Sequence, residues 1–311
     1  MSEAVHIGVT LPNLGSNAQP ATIERLACTA EERGFASVWV SDHVVMKAGP
    51  LEDYPYSEDG RPPFDPSTRY LDPLVTLGFV AASTNRVQLG TGVLVLPLRH
   101  PIAVAKQVAS LDVISSGRAL LGVGSGWLHD EFELLGQGWR DRGRRTDRGI
   151  DTLRGCWGED PIVPGIGPVA IAPPPPQGRQ LPVLIGGHSP AALRRAAVRG
   201  DGWYATKLTP SVFAERLARL RQLESPTAAG ATVAGVRPDV VSPDDAPLVT
   251  RSLVDAGADF IVLGAPYEDL TAAEAMEWIE RTADALGLDG DPGPPIASRR
   301  CWPDAARAAG G

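Results

Sequence analysis

The stretch VQLGTGVLVLPLRHP, Val87 to Pro101, decides the fold. Val87, Leu89, Val93, Leu94, Val95 and Leu96 are strand formers in a nearly unbroken apolar run, the pattern of a strand covered on both faces. Gly90 and Gly92 interrupt the run around Thr91, and glycine inside a strand marks a bulge, a bend or the close approach of another group. The strand is expected to run from Val87 to Pro97, and a helical segment follows, opened by Pro101 and reaching about Ile114. The stretch is therefore one β/α unit.

Working outward, the same unit recurs. HIGVTLPN (6–13) precedes a helical stretch from Pro20 to Arg33 that Gly34 stops, and SVWVSDH (37–43) follows. An irregular loop rich in Pro, Tyr and Asp then runs to about Tyr70, before a helix starting near Asp72 and Pro73. ALLGVGSGW (119–127) is a fourth strand, followed by helical pieces at about His129 to Leu135 and Arg142 to Trp157. A proline-rich excursion leads to VLIGGH (183–188) and its helix, Pro190 to Arg199. GWYATK, ATVAGVRP and DFIVLGAP supply strands six to eight, each separated by a helical segment. Eight such units predict an α/β protein with a closed (β/α)₈ TIM barrel and loop insertions. The rival, an open doubly wound sheet, would carry a glycine-rich first turn, and LPNLGSN is not GxGxxG. Residues 1–290 are expected to form a single domain, and the Gly-, Pro- and Ala-rich tail 291–311 to pack loosely.

Composition narrows the function. The chain has 311 residues, 43% hydrophobic and 21% charged, with a formal net charge of −8. That balance fits a soluble globular protein and argues against a nucleic-acid or anionic-membrane partner. Cys28, Cys156 and Cys301 lie far apart without CxxC spacing, which points to reduced thiols in a cytoplasmic protein. The start, MSEAVHIGVTLPN, lacks the features of a signal peptide, and no run approaches a membrane span.

In such a barrel the chemistry sits where strands end. Strand one ends near Asn13, strand two at Ser41-Asp42-His43, and strand three carries Thr91-Gly92-Val93. Strand four ends at Gly124-Ser125-Gly126-Trp127 and strand five at Gly186-Gly187-His188. Glycine turns before a helix free backbone amides that can bind an anion, although each alone also fits an ordinary strand terminus. His43 is the proton-transfer candidate, beside Asp42 as a partner; a loop-anchoring pair is the alternative. A flat ring over strand three would use the missing side chain at Gly92, where a non-proline cis peptide to Val93 is one form of the distortion and an ordinary bulge is the other. Asn13, Trp127, Tyr54 and Tyr56 are placed around a substrate pocket, and the loop 44–70 reads as its wall or lid. RDRGRR (140–145) reads as solvated or paired with Asp141, Asp147 and Asp151. No metal-ligand spacing is visible, and GVGSG holds serine one place too late for a nucleophile elbow.

Taken in order, FASVWVSDHVV, YPYSEDGRPPF, LDPLVTLGFVAASTNRVQLGTGVLVLPLRHPIAVAKQVASLDVISSGRALLGVGSGW, RGRRTDRGIDTLRGCW and PVLIGGHSPAALRRAAVRGDGWY resemble the luciferase-like monooxygenase superfamily, in its branch of oxidoreductases that use the deazaflavin coenzyme F420. The resemblance runs from about His6 to Leu286. It implies a homodimeric TIM barrel whose cofactor ring lies against a cis peptide at Gly92 and Val93. Ser125, Gly126, Gly186, Gly187 and His188 would hold the phosphate region, and His43 would transfer a proton. The F420 sugar-phosphate dehydrogenases carry tryptophan where this chain has Lys47 and glutamate where it has Trp127, departures that point away from that substrate. The expected function is hydride exchange between F420 and a small or medium organic substrate, with a reductase as cofactor supplier. An FMN-dependent two-component monooxygenase and a non-catalytic flavin-binding protein are the alternatives.

Overall fold

The chain is described here by a computed structural model covering residues 5–51, 54–55, 57, 59–62, 64–224, 232–293 and 295–296. Eight parallel strands form the frame: β1 (His6–Thr10), β2 (Ser37–Val40), β3 (Gln88–Thr91), β4 (Ala119–Gly124), β5 (Val183–Gly186), β6 (Gly202–Thr206), β7 (Val233–Arg237) and β8 (Phe260–Leu263). Their spatial order is β3-β2-β1-β8-β7-β6-β5-β4, and β4 pairs back onto β3 through Leu89↔Ala119 and Gly90↔Leu120. The sheet is closed, a (β/α)₈ TIM barrel. Nine helices are described: α1 (Pro20–Glu32), α2 (Pro73–Ser83), α3 (Pro101–Ile114), α4 (His129–Leu134), α5 (Arg142–Cys156), α6 (Pro190–Arg199), α7 (Pro210–Leu223), α8 (Ala246–Asp255) and α9 (Ala272–Leu286). Most open with proline in the first turn, where its fixed φ suits the helix and its missing N–H has no partner to lose.

The apolar runs divide by alternation. One face of each strand, such as Val9, Val38, Leu89, Val123, Ile185 and Leu263, packs outward into the core shared with the helices. The other face fills the barrel with Trp39, Leu120, Leu184, Tyr204, Phe260 and Val262. Trp39 stacks on Phe260 at 6.0 Å between ring centroids and lies 5.1 Å from Tyr204. Those rings fit because the neighbouring inward positions are bare. A Cβ on Gly235 would stand 2.1 Å from the Phe260 ring, one on Gly90 2.3 Å from Trp39, and one on Gly92 2.7 Å from the Tyr204 hydroxyl. The interrupting glycines of the third strand are thus answered from inside the barrel.

About two residues further along each strand, the same inward face changes character. The next inward positions are Gly92, Gly124, Gly186 and Gly264, with Thr10, Ser41 and Thr206. The remaining one, at the end of β7, is Arg237. The barrel is therefore filled by aromatic rings and branched aliphatic side chains below and lined by small residues, with Arg237, at its C-terminal mouth.

Some expectations need correction. The third strand was expected to continue to Pro97, but β3 ends at Thr91. The Gly92–Val93 peptide is cis, Leu94–Val95 pairs separately with β4, and Leu96–Leu98 forms a 3₁₀ turn. Pro97 cannot donate to a ladder, so the run turns into a helix instead. In the tail, Ile296 is buried and exchanges backbone hydrogen bonds with the Gln88 side chain at 2.7 and 3.3 Å. Gln88 starts β3, so this contact closes the barrel floor and satisfies a buried amide. The expected loose packing of the tail does not extend to Ile296.

Replacing Gly90 by Ala pushes a methyl into the Trp39 ring, an overpacking that is expected to cost about 1–3 kcal/mol. Equilibrium unfolding in guanidinium should show the lowered midpoint.

Candidate active site

The most developed cluster at the mouth is built on His43, just past β2. Its Nδ1 lies 3.0 Å from Oε2 of Glu131, and both side chains are nearly inaccessible. The other carboxylate oxygen, Oε1, accepts the backbone N–H groups of Val44 and Val45. Glu131 sits on the inner side of α4, directly after β4. One buried carboxylate thus fixes both the imidazole and the start of the following loop, and it directs Nε2 away from itself. Aromatic rings surround the imidazole: Phe64 at 5.7 Å, Tyr70 at 5.4 Å and Trp127 at 5.5 Å, with Tyr54 5.0 Å from Trp127. Trp127 thus stands against His43 and Tyr54 against Trp127, whereas Tyr56 lies outside the described residues.

Two predicted members play other parts. Asp42 does not orient His43. Its carboxylate is buried and forms a two-point ion pair with Arg99, at 2.6 and 2.8 Å, and accepts the Val95 N–H at 2.8 Å. Successive residues of an extended chain point opposite ways, so Asp42 and His43 face different partners. Asn13 does not line the pocket. It is buried, donates to the carbonyls of Ser41 and Leu71, and accepts the Ser41 N–H, which ties the end of β1 to the end of β2 and to the entry of α2.

The glycine-rich ends do converge. A Cβ on Gly124 would meet Val93 at 2.6 Å, and one on Gly186 would meet it at 2.8 Å. Val93, past the cis peptide, is thus seated in a notch cut by the ends of β4 and β5. The room at Gly92 itself is taken from below by Tyr204, so the ring-sized gap anticipated there is filled on the barrel side. What remains at the mouth is half-buried main chain at Gly92–Val93, while the Thr91 hydroxyl is spent on the Gly122 carbonyl.

Beside the notch lies a polar group suited to an anion. The Ser125 hydroxyl accepts from Thr146 at 3.1 Å and from Arg195 at 3.4 Å. Arg195 is held by Asp147 and by the Gly143 carbonyl. Arg142 lies over the Trp139 ring, 3.6 Å from its centroid, and reaches the Gly126 carbonyl, so within the RDRGRR cluster it is neither solvated nor paired with an acid, whereas Arg144 is exposed and pairs with Asp141. Gly187 adopts φ +104°, a conformation that only glycine takes easily. His188 accepts the Thr206 N–H at Nε2, and burial, reinforced by the Arg216 charge, holds its pKa below the ordinary value. A flat ring with a phosphate-bearing side chain fits these residues: half-buried main chain at Gly92–Val93 for the ring, and Ser125, Gly126, Gly186, Gly187 and His188 for the phosphate. A single buried hydroxyl, that of Tyr204, is orphaned directly beneath the bulge.

Sequence reasoning missed Glu131 and Arg237. The signal for Glu131 is a carboxylate inside WLHDEF at a helical position that must face inward. For Arg237 it is a cation two residues beyond an inward glycine in VAGVR.

Residues 5–290 match the family model described as luciferase-like monooxygenase. An uncharacterized protein of Mycobacterium tuberculosis is 31% identical over 292 residues, covering 91% of this chain and 99% of its own. An F420-dependent glucose-6-phosphate dehydrogenase of Amycolatopsis mediterranei is 31% identical over 213 residues, 62% of this chain and 58% of that enzyme. Among solved structures, the monooxygenase RslO1 of Streptomyces bottropensis superposes with a TM-score of 0.69 at 22% identity, over 90% of this chain and 98% of the other. Among the described residues no helix is long and apolar enough to cross a membrane.

Two outcomes check the site's construction. Glu131→Ala strands two backbone amides and the imidazole, and is expected to lose about 2–4 kcal/mol in chemical unfolding. His188 has a folded pKa below its unfolded one, so its contribution is present above about pH 6.5 and is lost as pH falls through the depressed value. His188→Asn should flatten that part of the acid slope of Tm.

Proposed function

Since the chain belongs to the luciferase-like monooxygenase family, we propose that it is an F420-dependent oxidoreductase acting on a small or medium organic substrate. The observation that carries this reading is the His43–Glu131 pair, buried in an aromatic wall at the barrel mouth and beside the bulged end of β3. Gly92 is tied to β2 by its N–H to the Val40 carbonyl, so the bulge and the histidine ride on adjacent strand ends. The F420-dependent relative supports the choice of coenzyme.

When bound, the deazaflavin supplies hydride exchange at its ring. The protein's part is positioning and proton management. The Gly92–Val93 main chain offers a flat support, and the small residues of the inner rim leave the approach clear. Ser125, the glycine ends and the neutral His188 would receive the phosphate side. Glu131 holds Nδ1–H of His43, so Nε2 is the atom that takes or returns the proton accompanying hydride transfer. Trp127, Tyr54 and Phe64 exclude water from that nitrogen and give the substrate an apolar wall. The reading carries with it a homodimer and a reductase that recycles the coenzyme.

Titration with F420 and with FMN, followed by ring fluorescence, tests the cofactor: F420 should bind in the micromolar range, and binding of FMN alone overturns the choice in favour of a two-component monooxygenase. His43→Ala should lower kcat by about 10²–10⁴-fold, the range of a lost acid–base group, while leaving the cofactor Kd near its wild-type value. Cofactor binding without hydride exchange or oxygen consumption over a broad substrate panel would instead mark a non-catalytic binder.

A further inference from the structure

The inner rim of the mouth carries a single charge. Seven of the eight inward positions there are glycine, serine or threonine, and the eighth is Arg237. Its Nε donates to the Thr206 hydroxyl at 3.2 Å. Among the described residues no carboxylate lies within 4.0 Å of its guanidinium, whereas Arg99, Arg154 and Arg195 are matched with Asp42, Asp201 and Asp147. Arg118 and Arg142, half-buried and also without a carboxylate, spend their donors on several backbone carbonyls instead. Arg237 is half-buried, and its charge opposes the upward push of burial on the Tyr204 and Tyr70 phenols, so it sits between the plug of the barrel and the His43 wall. One amino group of the fork stands 3.8 Å from the point a Cβ on Gly264 would occupy, beside the Thr10 hydroxyl at 3.7 Å.

A half-buried guanidinium without a counter-ion is costly to keep in a chain that carries a net charge of −8 and has acids to spare. Its planar fork matches a carboxylate or phosphate in two-point geometry. Counting round the ring, β7 is three strands from β2 and three from β4, so the cation faces the His43–Glu131 pair across the mouth. We propose that Arg237 anchors an anionic group, a carboxylate or phosphate monoester, on the substrate, at the end opposite to the carbon whose proton His43 handles. This assignment rests on the reading of the mouth as the active site. It adds a substrate class: an organic anion with its reacting carbon held apart from its charge.

The test uses calorimetric titration of the F420-loaded protein, at constant ionic strength in chloride, with succinate, inorganic phosphate and uncharged dimethyl succinate. The wild type is expected to bind one or both anions and not the diester. Arg237→Gln should weaken anion binding by about 30-fold or more, and Arg237→Lys, which keeps the charge without the fork, should fall between. No anion binding by the wild type, or equal binding by Arg237→Gln, overturns the proposal. So does a tenfold loss of F420 affinity in Arg237→Gln, which gives the anion to the cofactor instead. If F420 fails to load at all, the oxidoreductase reading falls, and the same titration of the unloaded chain still decides the role of Arg237.

Discussion

A closed parallel barrel has one interior and eight strands that must share it, so large side chains on one strand require bare backbone on another. Here Trp39, Phe260 and Tyr204 fill the interior as a stack, and Gly90, Gly235 and Gly92 stand where any Cβ would collide with them. This exchange of bulk for glycine sets the height of the plug. It puts the last large ring, Tyr204, immediately under the bulge at Gly92 and Val93, with its phenol pushed up to about 12 by burial and no hydrogen-bond partner. Above that level every strand but one presents a small residue, and the mouth is left open to chemistry.

Much of this was legible in the sequence because parallel strands and their helices are local objects. Each strand announces itself by a short β-branched run, and Pro20, Pro73, Pro101, Pro190 and Pro210 mark helix starts to the residue. The glycine-rich ends of β4 and β5 meet the bulged end of β3 at Val93. The immediate cause of these glycines was not legible: Gly124 and Gly186 make room for Val93, and Gly92 makes room for Tyr204. Those are contacts between strands, fixed by stagger, and no local pattern records stagger.

The pairing of side chains was harder still. Asp42 adjoins His43 in sequence, which made it the natural partner, yet adjacency along an extended chain puts two side chains on opposite sides. Asp42 turns to Arg99, 57 residues on, and His43 turns to Glu131, 88 residues on. Both acids are buried, and both are committed to one cation or imidazole plus backbone amides, as burial of a carboxylate demands. The resemblance left the second acidic position vacant, because it implies a glutamate where this chain has Trp127. The structure brings a carboxylate to His43 from one helical turn further along, and this leaves Trp127 free to serve as wall.

Charge at the mouth is thus arranged by difference. The negative charge of Glu131 is enclosed by His43 and two amides, so it acts on the imidazole and little else. The charge of Arg237 has no such enclosure, and low-dielectric walls of Trp127, Tyr204 and Phe64 focus its field into the opening. A ligand entering between them meets the His43 imidazole on one side and a cation on the other, over a floor that is apolar up to Tyr204. An anion drawn to Arg237 therefore arrives with its direction already chosen. Orientation of that kind comes from the scaffold alone, before any loop closes, because β7 and β2 are tied into one ring of backbone hydrogen bonds through β1 and β8.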